Sequence, residues 1–305
     1  MSRLYNLGSL NVDHVYGVPN IVTAGETVSA TSYDTHAGGK GLNQSLAAAK
    51  AGVDVLHVGC IGEDGQWLKD LLAAAGVDVS GIRLVDEPTG RAEIQITPQG
   101  ENAIIISSGA NATVSADDVM EMVAASTEDD WLLVQNETSQ VDFVLSCADQ
   151  FKGKVAVNVA PIDAPALKYD FSGIDLLIVN ELEAGGLAGV DDPGNALRRL
   201  QEQYPDVAIL LTLGRDGLRY RGRNKRIDVP AFVVDAVDET AAGDSFIGYL
   251  VASLIDSVPI EEALVYASAA GALAVTRHGA GPSIPTREDV WKFVESGAPG
   301  LLDSD

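Results

Sequence analysis

Short apolar runs alternate with helical patterns along most of the chain. The predicted strands are LYNLG, VLHVGCIG, WLLVQ, KVAVNV, IDLLIVN and VAILLTLG, and the predicted helices cover 40–52, 63–76, 139–151, 181–204, 241–256 and 260–277. Such alternation is typical of parallel strands joined by right-handed helical crossovers. We therefore expect an α/β fold, a Rossmann-like three-layer sandwich with helices on both faces of a mostly parallel central sheet.

Two segments depart from this alternation. Residues 12–36 and 89–107 show strand-like patterns with Gly and Pro turns, and neither contains a helical pattern. Because the two segments share this character, we expect them to form one small inserted β-sheet. A sheet hinged at the carboxyl edge of the main sheet can close over a ligand and exclude water. Residues 1–305 are thus predicted to form a single domain with a β-sheet lid.

The chain is strongly acidic, with a formal net charge of −24 and a pI near 4.3. Nucleic acids and anionic membranes are bound by basic patches, so we expect neither as a partner. The spread of acidic residues favours a solvated surface suited to high salt, and an ordinary acidic cytosolic protein is the alternative. The start of the chain lacks the pattern of a signal peptide, and no apolar stretch reaches membrane-spanning length. We expect a cytoplasmic protein.

The motif with the clearest chemistry is ETAAGDSF, residues 239–246, at the start of a predicted helix. The first amides of a helix lack intrahelical partners, so the small residues 241–243 would let an anion approach the backbone. Asp244 would repel a resting phosphate but is suited to accept a proton from an attacking hydroxyl. This combination fits phosphoryl transfer. In the alternative interpretation, Thr240 or Asp244 only caps the helix.

Two motifs near the N-terminus offer polar groups for a polyol ligand. In AGGKGLNQSLAAAKAG, residues 37–52, Gly41 follows the GK pair, which disfavours a P-loop NTPase. Asn43 in this stretch has both donors and acceptors, which suits a sugar, although a glycine turn before a helix explains the glycines equally. Asn11 and Asp13 alternate onto one face of a strand, where they would face either a sugar or solvent.

Two later motifs lie where predicted strands end. In IVNELEAGG, Asn180 and Glu183 share one helix face, where they would either serve Mg²⁺ or form a capping box. In LLTLGRDGLRY, Thr212 and Gly214 stand at the carboxyl end of a strand. Doubly wound sheets bind nucleotides at that edge, although an ordinary β-turn is the alternative there.

In their order along the chain, these motifs resemble the PfkB family of carbohydrate kinases. The matching stretches are GSLNVDHV, GGKGLNQSLAAAKAG, IGEDG, LLVQNET, VNELEA, TLGRDG, DETAAGDSF and AVTRHGAGPSIP. Each stretch is short, but the ordered set covers nearly the whole chain and is specific. The resemblance implies phosphorylation of a sugar's primary hydroxyl by ATP with Mg²⁺, with D-ribose as the first expected substrate. It also implies a lid that is often used for homodimerisation.

The resemblance further implies roles for individual residues. Asp244 corresponds to the catalytic base, and Ala241, Ala242 and Gly243 to the anion hole. The sugar-binding positions are Asn11, Asp13, Gly39, Lys40, Asn43 and Glu137. The nucleotide positions are Asn180, Thr212, Gly214 and Gly217, and Glu183 is expected to hold Mg²⁺ through water. Asp238, Thr240, Gly281 and Ser283 match a monovalent-cation site that is usually filled by K⁺.

Three positions depart from the family pattern. Glu239 stands where ribose-phosphorylating members usually carry Thr, which adds charge beside the expected cation and phosphate sites. NVAP at 158–161 replaces the usual NPAP, and Gly185 with Gly186 interrupts a helix at about 1 kcal/mol per Gly relative to Ala. The competing hypotheses are a kinase for 2-keto-3-deoxygluconate, fructose or a nucleoside, and a non-catalytic sensor. The intact base and anion hole argue against the sensor.

Overall fold

The computed structural model describes residues 2–297, which form two β-sheets and flanking helices. The strands are β1 (Arg3–Leu7), β2 (Asn11–Gly17), β3 (Ser32–Gly38), β4 (Asp54–Ile61), β5 (Asp78–Leu84), β6 (Gly90–Ile96), β7 (Asn102–Ser107), β8 (Trp131–Gln135), β9 (Lys154–Asn158), β10 (Leu176–Asn180), β11 (Ala208–Thr212), β12 (Leu218–Arg221) and β13 (Arg226–Val229). The larger sheet has the order β13-β12-β11-β10-β9-β8-β1-β4-β5. Its strands from β11 to β5 pair in parallel, and β12 and β13 add an antiparallel edge.

Helices cover both faces of this sheet. They are α1 (Lys40–Ala51), α2 (Gln66–Ala74), α3 (Ala116–Ala125), α4 (Val141–Ser146), α5 (Glu181–Ala188), α6 (Pro193–Gln203), α7 (Ala242–Ile255), α8 (Ile260–Ala274), α9 (Ala280–Ser283) and α10 (Arg287–Glu295). Leu42, Leu250 and Leu264 of α1, α7 and α8 are buried in one apolar core, whereas Val119 and Leu197 of α3 and α6 are buried in the other. This arrangement confirms the predicted three-layer α/β fold. No helix within residues 2–297 has the length and apolar character of a membrane span.

The smaller sheet is built from the two segments that break the α/β alternation. Its order is β3-β2-β6-β7, with β2 antiparallel to β3 and parallel to β6. Strand β2 follows β1 after only three residues, 8–10, so the small sheet is attached directly to the carboxyl edge of the main sheet. The edge at which doubly wound sheets bind ligands therefore lies beside this second sheet.

The prediction of one helix over 181–204 was wrong. The structure has two helices, α5 and α6, because Gly189 adopts a left-handed conformation (φ 65°) and ends the first. Asp192 caps the second by accepting a hydrogen bond from the Asn195 amide, and Pro193 occupies its first turn. Proline is tolerated at that position because the first amides of a helix have no intrahelical acceptor. The helix predicted over 139–151 is also shorter, since α4 covers only Val141–Ser146 before a short 3₁₀ turn.

Helices α1 and α7 pack against each other closely enough that glycine is needed at the contact. A Cβ built at Gly248 in α7 would lie 2.4 Å from the Ala47 Cβ and 2.8 Å from the Gln44 carbonyl oxygen. At the start of α1, a Cβ at Gly41 would lie 2.4 Å from the Gly8 Cα. The first turns of α1 are therefore held between the β1–β2 turn and the start of α7.

Candidate active site

A cavity of about 230 Å³ lies at the carboxyl edge of the main sheet. Asn158, Asn180 and Thr212, the last residues of β9, β10 and β11, line it from the sheet side. The lining includes seven residues that the sequence predicted for a site: Lys40, Asn180, Glu183, Thr212, Ala241, Gly243 and Asp244. The fold thus brings the predicted base, part of the anion hole and part of the nucleotide site to one place.

The start of α7 forms one wall of this cavity. Ala241 stands before the helix in a left-handed conformation (φ 59°, ψ 12°), and no described side chain caps the helix. A Cβ built at Gly243 would meet no described atom within 4 Å outside its chain neighbours and the backbone of its own helix, so the backbone is open on that side. The alternative in which Thr240 or Asp244 only caps the helix is therefore wrong. An uncapped helix start presents amide donors, which suits an anion.

Asp244 lies in the first turn of α7 and is 8% exposed. Its Oδ2 accepts a hydrogen bond from Asn43 Nδ2 at 3.0 Å, and its Oδ1 accepts one from Gln44 Nε2 at 2.9 Å. Each carboxylate oxygen has two lone-pair sites, so each retains capacity for a hydroxyl proton. The sequence predicted Asn43 but missed Gln44, for which the only signal was its place beside Asn43 in the GGKGLNQ motif.

The predicted sugar-binding residues cluster next to the start of α1. Glu137 Oε2 accepts hydrogen bonds from Ser9 Oγ (2.6 Å) and from the Lys40 amide (3.0 Å). Burial, together with the neighbouring charge of Glu137, raises the pKa of Asp13 to about 7. Asn11 is buried, and its Oδ1 accepts a hydrogen bond from Asn111 Nδ2 at 2.8 Å, a contact that the sequence did not predict.

Lys40 connects this cluster with the cavity. Burial works against its charge, but the carboxylates of Asp244, Glu137 and Glu183 outweigh burial and raise the pKa of Lys40. Gly39 precedes it with φ 95°, and a Cβ there would lie 2.9 Å from the Ser9 carbonyl oxygen. Gly39 is therefore required by the turn itself.

Asn180 and Glu183 form the capping box that was one of their two interpretations. Asn180 Oδ1 accepts from the Glu183 amide (2.9 Å), and Glu183 accepts from the amide (2.8 Å) and side-chain nitrogen (2.8 Å) of Asn180. Burial raises the pKa of Glu183. No group of three or more His, Cys, Asp or Glu in the described residues is arranged to hold a metal ion. Mg²⁺ usually keeps several waters and uses one or two protein carboxylates, so Glu183 at the cavity wall fits a contact through water.

The remaining nucleotide positions divide between the cavity and a turn. Thr212 lines the cavity, whereas Gly214 and Gly217 belong to the turn that joins β11 to β12. Gly217 has φ 90°, and a Cβ there would lie 2.0 Å from the Val229 carbonyl oxygen. The hairpin therefore requires glycine at 217 whether or not a nucleotide contacts it.

The predicted monovalent-cation residues lie in two adjoining loops. Asp238 accepts hydrogen bonds from the Thr240 and Gly279 amides, each at 2.9 Å, which joins the loop before α7 to the segment before α9. Although burial opposes it, this hydrogen bonding lowers the pKa of Asp238. The Gly281 carbonyl accepts from Lys50 Nζ at 3.1 Å, so it is already paired with a cation of the chain.

Two further predicted features lie beside these loops. Ser283 is buried, and its hydroxyl donates to the Ala280 carbonyl at 2.7 Å. Glu239 lines the cavity and pairs with Arg215 at 3.2 Å, so the unusual charge at this position is partly balanced by the turn after β11. Both partners are exposed, and such a pair contributes little to stability.

Comparison with known proteins finds relatives that align along nearly the whole chain. Ribokinase from Haemophilus influenzae is 38% identical over 299 residues, which cover 95% of this chain and 97% of that protein. The crystal structure of ribokinase from Cryptococcus neoformans in complex with ADP is 35% identical, with a TM-score of 0.85 over 96% of this chain and 99% of that one. The structure of Arabidopsis thaliana ribokinase with ribose and ATP is 29% identical, with a TM-score of 0.84 over 96% and 98%. The model of the pfkB family of carbohydrate kinases matches residues 1–287, and the chain belongs to that family.

Proposed function

We propose that this protein is a ribokinase that transfers the γ-phosphate of ATP to the primary hydroxyl of D-ribose and releases ribose 5-phosphate and ADP. The observation that carries the proposal is the buried Asp244 carboxylate, which faces the cavity beside an uncapped helix start. Relatives named ribokinase that align along nearly the full length support ribose as the acceptor.

In the proposed mechanism, Asp244 accepts the proton of the ribose hydroxyl as that oxygen attacks the γ-phosphorus. The bond from phosphorus to the bridging oxygen of ADP breaks in the same in-line transfer. The amides at the start of α7, residues 242–244, donate to the oxygens of the transferring group, where charge must be stabilised. Asn11, Asp13, Asn43 and Glu137, with the backbone at Gly39 and Lys40, hold the remaining sugar hydroxyls.

The nucleotide and cation roles complete the proposal. Asn180, Thr212, Gly214 and Gly217 are assigned to ATP. When bound, Mg²⁺ neutralises phosphate charge, and Glu183 would hold it through water. A monovalent cation, K⁺, is assigned to Asp238 and Thr240 with the Gly281–Ser283 loop. The hydrogen bond between Asp238 and the Gly279 amide supports this assignment, because it brings the two loops together.

We also propose that the β-sheet lid, segments 12–36 and 89–107, closes over the sugar and joins two copies of the chain. Ile104 and Ile106 of β7 are each about half exposed (52% and 51%). The strand register places Ile106 beside Ala92 and Ile104 beside Ile94, on the face that also carries Asp13. An exposed apolar strand at a sheet edge is a natural site for self-association. We further propose a cytoplasmic enzyme adapted to high salt, and the net charge of −24 supports the adaptation to salt.

The first experiment is a measurement of ADP release with MgATP and D-ribose in about 1 M KCl, with Asp244→Asn as the matched variant. We expect ribose-dependent ADP release that falls by roughly 10²-fold or more in the variant, the usual contribution of a positioned base. Sugar affinity should change little. A folded wild-type protein that is silent with ribose but active with fructose, 2-keto-3-deoxygluconate or a nucleoside would replace the proposed substrate. Silence with every acceptor would reject the kinase.

A further inference from the structure

Gln44 is a buried side chain that contacts the proposed base from the neighbouring helix. It is 0% exposed, and its Nε2 donates to Asp244 Oδ1 at 2.9 Å and to Asn158 Oδ1 at 3.2 Å. Because Gly248 lets α1 and α7 approach closely, Gln44 reaches the first turn of α7 without any intervening group. The amide of Gln44 is thus a donor fixed on one oxygen of the carboxylate.

Two more buried amides lie behind Gln44 and form a chain with it. Gln135 Nε2, at the end of β8, donates to Gln44 Oε1 at 2.8 Å and to Asn6 Oδ1 at 2.8 Å. Asn6 Nδ2, in β1, donates to the Gly41 carbonyl oxygen at 2.8 Å. Asn6 and Gln135 are both 0% exposed, so these bonds are not shared with bulk water. We refer to Asn6, Gln135 and Gln44 as the amide relay.

The direction of the relay follows from its far end. A backbone carbonyl can only accept, so Asn6 must present its nitrogen to Gly41 and keep its oxygen for Gln135. Gln135 must then present its nitrogen to both neighbours, and Gln44 must accept through its oxygen. The nitrogen of Gln44 is therefore the atom that faces Asp244. In this arrangement the buried Oε1 of Gln135 is left without a hydrogen-bond partner among the described residues.

We propose that Gln44 is a positioning residue for catalysis, and that the other two members of the amide relay, Asn6 and Gln135, hold it with its nitrogen towards Asp244. In that orientation Gln44 donates to the carboxylate and aims its free lone pairs at the sugar hydroxyl. A reversed amide would place oxygen against oxygen and misdirect the base. The inference rests on the proposed function, in which Asp244 accepts the hydroxyl proton.

The first test is Gln44→Met, which keeps the volume and removes the donor. We expect kcat for ribose phosphorylation to fall roughly tenfold or more, as for the loss of a hydrogen bond to a charged group, with little change in KM for ribose. The acidic limb of the kcat–pH profile should move to higher pH, because the ionised base has lost a donor. Lys40, Glu183 and Glu239, the other charged groups of the cavity lining, are unchanged in this variant, so the shift reports on residue 44.

The second variant, Gln44→Glu, gives a signature that a purely structural residue would not produce. While the introduced carboxyl is protonated, it can still donate to Asp244 and accept from Gln135, whereas its ionised form repels the base. The kcat of this variant should therefore be closest to wild type at low pH and decline as pH rises. Gln135→Met tests the relay one step further away, and it should lower kcat in the same direction by a smaller factor.

Ser45→Ala is the matched control. Ser45 is the next residue of α1, is equally buried and forms hydrogen bonds with His57 and Asn6, but it forms none with Asp244. Its loss leaves the Asn6–Gly41 bond intact, so kcat and its pH profile should stay near wild type. Normal kcat and an unshifted profile in folded Gln44→Met, beside an inactive Asp244→Asn, would overturn the inference and leave the kinase standing. If Gln44→Met does not fold, a flat or normal pH dependence in Gln44→Glu would overturn it equally.

Discussion

The properties of single residues at this site depend on contacts with residues that are far away along the chain. In the sequence, Asp13 and Asn11 lie on one face of a predicted strand, where they would face either a sugar or solvent. The structure places Asp13 near Glu137, a residue 124 positions away, and burial together with that charge raises the pKa of Asp13 to about 7. A carboxyl in that state costs stability when ionised, which is common for groups that are kept for binding a ligand.

The first prediction follows from Asp13. Its pKa in the folded protein lies above that of an unfolded Asp, about 3.9, so the folded state holds the extra proton between these values. Folding stability contributed by this group is therefore lost as pH rises from about 4 through 7. Because Asn cannot ionise, Asp13→Asn should raise the unfolding temperature, and the gain should grow between about pH 5.5 and about pH 8.5.

Thermal unfolding at the two pH values measures this effect. Asp86→Asn removes the same charge from an exposed position and controls for the change in net charge. An equal response of the two variants at both pH values would contradict the burial argument.

Among the secondary-structure elements, the packing of α1 against α7 brings the residues of the candidate site together. The two helices contribute the proposed base, Asp244, and the two side chains that donate hydrogen bonds to it, and Gly248 allows the helices to pack closely. Gly41 of α1 also matters for the packing of this helix, since a side chain there would clash with the β1–β2 turn. The site is thus a consequence of helix packing, and a side chain at the crossing should damage stability and catalysis together.

Gly248→Ala tests this expectation. The added Cβ would lie within 3 Å of three α1 atoms, and such overpacking costs about 1–3 kcal/mol. The unfolding temperature should fall by several degrees, and kcat should fall because the Asp244 carboxylate moves away from Gln44. Gly243→Ala, where a Cβ meets no described atom within 4 Å, should not lower the unfolding temperature. Unchanged stability and kcat in Gly248→Ala would show that the crossing tolerates expansion.

Over the molecule as a whole, salt is expected to act in two separate ways. It would affect folding through the net charge of −24 and catalysis through a bound cation. Repulsion within so acidic a chain opposes compaction, and salt screens it regardless of the cation. A bound K⁺ at the Asp238 loop would instead depend on the identity of the cation. Comparing two salts at equal ionic strength therefore separates the two effects.

We expect the unfolding temperature to rise similarly in KCl and NaCl between about 0.1 M and about 2 M, since screening is not ion-specific. We expect kcat to be higher in KCl than in NaCl, and Asp238→Asn to remove most of that difference. Equal kcat in the two salts would reject the assigned K⁺ site. An unfolding temperature that does not change with salt concentration would reject adaptation of the surface to high salt.

Local pattern along the chain was enough to predict six strands of the main sheet, most of the helices beside them and the two segments that form the smaller sheet, but it missed β5, α3, the β12–β13 hairpin and α10. Apolar periodicity and small residues at a helix start act within a few positions, so they can be recognised without the fold. Local pattern also explains the wrong prediction over 181–204, where the capping by Asp192 and the turn at Gly189 divide the predicted helix into two. The glycine and proline signals in that stretch were sufficient to predict the break.

The surroundings of the proposed base and of Asp13, by contrast, are decided only when the chain is folded. Gln44 and Asp244 are separated by 200 positions, and their contact exists because two helices pack at a glycine. The charge of Glu137 acts on Asp13 for a similar reason, since the start of β2 and the end of β8 meet at one edge of the fold. Such contacts depend on packing across the whole chain, and no periodicity or spacing within a single segment encodes them.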